Sequence, residues 1–134
     1  MRATAIMTHG GQEQVVFHSD FPDPVAEEGD VIVRVKASSL NYHDVFTRRG
    51  MPGIKLNLPV IPGLDVAGEI AEIGPGVEGW EVGEPVLIDP VNRTKGGLLG
   101  ETTNGGLAEL CKVPANQLVR IPDGVTFAQA ASLP

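Results

Sequence analysis

Residues 39–69 read SLNYHDVFTRRGMPGIKLNLPVIPGLDVAGE. Asn41 has the side chain of a helix cap, Asp44 falls at the third helical position, and Gly50 suits the residue just past the end, so a short helix is expected between them. A carboxylate in the first turn also complements the helix dipole. Val66 to Ile73 then reads as a strand, ended by the turn Gly74-Pro75-Gly76. Upstream, Val31, Val33 and Val35 alternate with Arg34 and Lys36, the period of two that marks a half-buried strand. Ala3 to Met7 and Val15 to His18 are shorter strand candidates around the Gly10-Gly11 turn, and Asp20 to Gly29, with Pro22 and Pro24, reads as an exposed loop. Downstream, Val86 to Ile88, Ala108 to Val113 and Leu118 to Ile121 are strands separated by Pro, Gly and Asn. Many short strands with frequent turns predict a mainly β fold, a partly open β-barrel with short helices.

Bulk properties agree. A chain of 134 residues has room for one domain with a proper core. Its 42% hydrophobic and 20% charged content fits a soluble globular protein, and 17 Gly with 11 Pro favours turns. A formal charge of −7 argues against a nucleic-acid partner, because phosphate neutralisation needs a basic face. No apolar run approaches a membrane span, and the start MRATAIMTHGG lacks the long apolar core of a signal peptide. The single cysteine, Cys111, cannot make an internal disulfide, so the expected location is cytoplasmic and the Asn92-Arg93-Thr94 glycosylation pattern is accidental.

Two motifs bear on organisation. Gly74-Pro75-Gly76-Val77-Glu78-Gly79 matches the dinucleotide pattern G-x-G-x-x-G, but the following Trp80-Glu81-Val82-Gly83-Glu84-Pro85 cannot be the required helix. It is read as a turn. Thr126 and Gln129 fit a capping box, so a helix begins near Phe127 and has less than two turns before Pro134. A helix that short is unstable alone. Residues 1–125 are therefore expected to form the domain, and 126–134 the start of a linker helix towards a nucleotide-binding domain outside this chain.

The stretch 39–69 resembles the medium-chain dehydrogenase/reductase family, specifically its GroES-like catalytic domain, and the resemblance runs to the closing TFAQAASLP. Zinc-dependent members carry a cysteine where this chain has Asn41 and a histidine where it has Leu64, with Asp65 following. The segment DPVNRTKGGLLGETTNG, Asp89 to Gly105, stands in the place of their four-cysteine zinc lobe and has no cysteine. The chain is thus closer to the zinc-independent, quinone oxidoreductase-type branch, which has NxxD at the start of the helix. The resemblance implies reduction of quinones, enones or enoyl thioesters by hydride transfer from NADPH or NADH, without zinc. It also implies a Rossmann domain following this one, a homo-oligomer in the complete enzyme, and no activity of this piece alone. A zinc-dependent alcohol dehydrogenase is the weaker enzyme reading. A free-standing GroES-like module that binds a partner or assembles into a ring is the alternative from another class.

In this reading negative charge develops on the substrate's carbonyl oxygen, and hydrogen-bond donors aimed at it stabilise it. Asn41 can donate to that oxygen or to cofactor hydroxyls, or serve as a plain helix cap. Tyr42 either donates its phenol or lines the pocket, or is a core residue. Asp44 orients a neighbour or the cofactor, or compensates the helix dipole. His43 relays a proton or contacts substrate, or is simply an exposed histidine. Leu64 and Asp65 flank the same cleft as substrate-binding residues, or Leu64 belongs to the core. Arg48 and Arg49 attract an anionic substrate or partner the helix dipole. The long Gly- and Thr-rich loop from Asn92 to Gly106 is either a lid or the relic of a lost zinc lobe.

Overall fold

A computed structural model describes residues 1–52 and 56–134. Among the described residues, seven strands and two α-helices run in the order β1 (Ala3–Ile6), β2 (Val15–His18), β3 (Asp30–Ser39), α1 (Tyr42–Arg49), β4 (Asp65–Ile73), β5 (Pro85–Ile88), β6 (Leu110–Pro114), β7 (Leu118–Arg120) and α2 (Phe127–Ala130). The main sheet has the order β6-β3-β4-β5-β7, and every neighbouring pair is antiparallel. β1 and β2 form a separate ribbon, joined to the rest by the isolated bridges Ala3–Ala108 and Ile6–Val60. The barrel is therefore not closed. The residues 74–79 form the turn between β4 and β5, and no helix follows it.

The alternation of β3 places Val31, Val33 and Val35 against Val66, Ile70, Val86, Ile88, Leu99, Cys111 and Val113 in the principal core. Ile32, on the opposite face, is also buried, so the strand is covered on both sides over this part of its length. Pairing then shifts by one residue: Val35 lies opposite Gly68, but Ala37 lies opposite Ala67. The extra residue, Lys36, makes a β-bulge that reverses the inside-outside sense of the strand beyond it. Ala37 and Ala67 now share a face with Ala130 and Ala131 at the end of α2.

That contact explains how a helix of four residues persists. Its capping box forms, with Thr126 N–H donating to Gln129 Oε1 at 2.9 Å and Gln129 N–H donating to Thr126 Oγ1 at 3.2 Å. Ala130 and Ala131, each 2% exposed, supply the packing that a single turn cannot provide for itself.

Cys111 lies within the core on β6, as its strand position predicts, and burial pushes its thiol up from 9.0 to about 12. At mildly alkaline pH the native chain should leave Cys111 unmodified by iodoacetamide, and concentrated urea should make it reactive. Mass spectrometry of the alkylated chain checks this; native labelling as fast as unfolded labelling would contradict the burial. The sign for stability follows. Above 9.0 the unfolded thiol ionises while the folded one stays neutral, so this group's contribution falls as pH rises towards 12.

Candidate active site

The first turn of α1 is tied to the segment leading into β4 through Asp44. This carboxylate is only 7% exposed. One oxygen accepts the backbone N–H of Asn41 at 2.7 Å, and the other accepts the backbone N–H of Gly63 at 2.8 Å. Both contacts are charge-assisted and both donors belong to backbone. Asp44 thus braces the helix start against the Pro62-Gly63 segment, with its two oxygens turned to the protein.

Asp65, the first residue of β4 and 4% exposed, gathers the polar cluster itself. The Asn41 side-chain amide donates to its Oδ2 at 2.7 Å, and the Ser39 hydroxyl donates to the same oxygen. The β-bulge sets this up, because the shifted register brings Ser39 opposite Asp65 at the end of the pairing. Asn41 holds the cap position, yet one amide N–H is directed to Asp65, which fixes the plane of the amide. The second N–H of that group lies in the same plane.

His43 is partly buried, and its imidazole Nε2–H donates to Oε2 of Glu101. Glu101 belongs to the loop from Asn92 to Gly106, which is fastened at several points. Leu99 is 1% exposed and part of the core. Gly105 N–H donates to Ile61 O at 2.7 Å, Gly106 N–H to Gly63 O at 2.8 Å, and Leu107 N–H to Pro62 O at 3.0 Å. The loop is strapped along the segment that leads into Leu64 and Asp65. At the other end of α1, Arg48 donates to Gly10 O at 2.7 Å, so this arginine holds the Gly10-Gly11 turn.

The structure therefore brings Asn41, Asp44 and Asp65 together, places Leu64 buried beside Asp65, and joins His43 to the loop. It separates Tyr42 from them. The Tyr42 ring is 82% exposed and faces Phe46 one turn on, with centroids 6.3 Å apart. Sequence reading missed Ser39 and Glu101. Ser39 could have been found only from the register of β3 against β4. Glu101 could have been noticed as the one carboxylate of its loop, but nothing local links it to His43.

Among the described residues, no group of three or more His, Cys, Asp or Glu side chains is placed to hold a metal ion. Asn41 presents an N–H to Asp65, and Leu64 presents no donor atom. A cavity of about 610 Å³ exists elsewhere, lined by Phe21, Asp30, Leu98, Leu99, Leu110 and Lys112 among others. None of Asn41, His43, Leu64 or Asp65 lines it. At the candidate site itself Asn41 and His43 are partly buried, and Asp44, Leu64 and Asp65 are buried.

Comparison with known proteins gives a consistent family. The family model described as alcohol dehydrogenase GroES-like domain matches residues 27–123. A zinc-type alcohol dehydrogenase-like protein of Schizosaccharomyces pombe is 36% identical over 115 residues, covering 79% of this chain and 33% of the relative. The chloroplastic NADPH-dependent alkenal/one oxidoreductase of Arabidopsis thaliana is 33% identical over 135 residues, covering 100% of this chain and 34% of the relative. The crystal structure of an NAD-dependent alcohol dehydrogenase superposes with a TM-score of 0.91 at 34% identity, covering 100% of this chain and 43% of that one. The chain thus spans well under half the length of these relatives. No helix among the described residues is long and apolar enough to cross a membrane.

Proposed function

The chain belongs to the alcohol dehydrogenase GroES-like domain family, whose named relatives are oxidoreductases, and on that premise we propose that it is the substrate-side part of a zinc-free, NAD(P)H-dependent reductase of conjugated carbonyl compounds. Quinones, enones and enoyl thioesters share the reacting group. The observation that carries this reading is the Asn41–Asp65 hydrogen bond at 2.7 Å. A catalytic zinc asks for about three ligands among thiolate, imidazole and carboxylate. Here the carboxylate is engaged by an amide and a hydroxyl, and the neighbouring position is leucine. That donor set does not suit zinc. It suits a fixed hydrogen-bond donor.

A nicotinamide, when bound, supplies the hydride. As hydride reaches the β-carbon, negative charge grows on the carbonyl oxygen. The second N–H of Asn41, its plane held by Asp65, can donate to that oxygen without reorganising. Asn41 is the residue of this chain that would also meet the cofactor, and Tyr42 is exposed on α1. Asp44 keeps Asn41 and the Leu64 segment in register, and Leu64 gives the site an apolar wall. Such electrostatic assistance needs water kept out, and Asn41 is only partly buried in this chain. Residues 1–125 are accordingly the substrate domain, and 126–134 lead to a nucleotide-binding domain that closes over it, commonly the surface through which such enzymes form homo-oligomers. The complete protein is a cytoplasmic enzyme acting on small molecules, and this piece alone is inactive.

Asn41→Ala in the complete enzyme should lower kcat/KM by about 100-fold, the size of effect seen when one oxyanion donor is lost. The Asp44 brace uses the backbone N–H of Asn41 and should survive with the fold, so the melting temperature should move far less than the rate. Steady-state kinetics with an enone, beside thermal melts and metal analysis, make the measurement. Unchanged turnover would remove Asn41 from the mechanism. Stoichiometric zinc with alcohol oxidation would instead favour the metal-dependent dehydrogenase. Absence of any nicotinamide-dependent turnover would favour the binding-module alternative.

A further inference from the structure

Reduction of a conjugated C=C needs a proton as well as a hydride, and the cluster around Asp65 has only donors already engaged or needed at the carbonyl oxygen. His43 is the one imidazole on α1, two residues beyond Asn41, and Glu101 is the one carboxylate of the loop from Asn92 to Gly106. Their contact crosses from the first turn of α1 to the loop. Glu101 is anchored beside the site by its neighbours. A Cβ on Gly100 would lie 3.0 Å from the backbone nitrogen of Gly63, so that residue is in direct contact with the segment entering Leu64 and Asp65. The side chains are partly buried, at 27% exposure for His43 and 13% for Glu101. The loop does not depend on this pair for attachment, because three backbone hydrogen bonds and Leu99 already hold it.

We infer that Glu101 positions His43 as the proton donor of the site, a role that rests on the reductase reading above. With Nε2 engaged by Glu101, Nδ1 is the nitrogen left to exchange a proton. Hydride addition forms a C–H bond at the β-carbon and moves the C=C electron pair towards the carbonyl oxygen. When the resulting enolate collapses, its α-carbon takes the proton from Nδ1, so one N–H bond breaks and one C–H bond forms. His43 is left neutral and is reprotonated from water. The substrate gains two electrons and the nicotinamide loses them, so the step balances. His43 is catalytic in this scheme, and Glu101 is a positioning residue.

Two measurements test it. In the chain itself, NMR with 15N-labelled histidine should find a His43 imidazole proton that exchanges slowly with water, and Glu101→Ala should speed that exchange at least about tenfold while the fold is retained. Exchange unchanged by Glu101→Ala would overturn the pairing. In the complete enzyme, His43→Gln should lower kcat by about 100-fold or more, the range for loss of a general acid, with KM changed much less. His43→Ala should recover part of its rate when free imidazole is added, which a purely structural histidine would not allow. Glu101→Ala should lower kcat about tenfold and Glu101→Asp should restore some of it; if the His43 variants do not fold, these two decide the kinetic question. A His43→Gln enzyme keeping more than half of the wild-type kcat, or His43→Ala without rescue, would overturn the proton role and leave the reductase reading standing. A wild-type enzyme with no enone reduction would sink both, and the exchange experiment would still report on the pair.

Discussion

Gly105→Ala is expected to destabilise the fold by about 3 kcal/mol or more, beyond the usual range for overpacking because the obstacles are backbone. A Cβ there would lie 2.3 Å from Gly63 O, 2.8 Å from Pro62 O and 2.8 Å from Gly100 Cα. None of these atoms can swing aside as a side-chain end could. Relief requires the loop and the Ile61–Gly63 segment to part, which breaks the Gly105 N–H to Ile61 O bond at 2.7 Å and its two neighbours. The segment that would move leads directly into Leu64 and Asp65. Loss of stability and loss of site geometry should therefore appear together. For a domain of this size each kcal/mol lowers the melting temperature by about 3–5 °C, so a fall of about 10 °C or more is expected by differential scanning calorimetry. Gly79→Ala is the control, since a Cβ there meets nothing within 4 Å and only its φ of +77° opposes the change. That strain costs about 1–2 kcal/mol. Equal destabilisation by the two variants would mean that the loop is not packed on Gly63 as described.

Asp44→Ala should cost about 3–4 kcal/mol, because it strands two backbone N–H groups that each lose a bond to a charged acceptor. Asn41 and Gly63 are the two donors, at 2.7 Å and 2.8 Å, and the carboxylate that serves them is almost wholly buried. Asp44→Asn should cost less, since the amide retains one acceptor oxygen for one of the two donors. Urea unfolding separates these cases: the midpoint should fall in the order wild type, Asp44→Asn, Asp44→Ala, with the slope m unchanged. Asp65→Ala offers a useful contrast. Its partners are the side chains of Ser39 and Asn41, which can turn towards water, so about 1–2 kcal/mol is expected. If Asp44→Ala were no worse than Asp65→Ala, the brace between the start of α1 and the Pro62-Gly63 segment would have to be abandoned.

The difference between these two aspartates was not legible in the chain, although both were candidates for the site. The helix over α1 was legible, because a cap, a third-position carboxylate and a terminal glycine act within a few residues of one another. So were the strands, whose alternation is a local property, and the turn disguised as a dinucleotide motif. Even the single turn at Phe127 was legible from Thr126 and Gln129. The covering of Ile32 was not, since alternation reports one face and says nothing about what lies over the other.

Composition, caps and periodicity by themselves determined the element order and brought Asn41 and Asp44 forward, while the family resemblance added Leu64 and Asp65 as residues to watch. Tertiary structure alone decided what each of them touches. The bulge at Lys36 set Ser39 opposite Asp65, Asp44 turned inward to two backbone donors, and Glu101 met His43 across 58 residues of chain. The physical reason is range. Capping and alternation are decided between near neighbours, whereas the partners of a buried polar group are fixed by strand register and loop packing, which depend on the whole core being assembled.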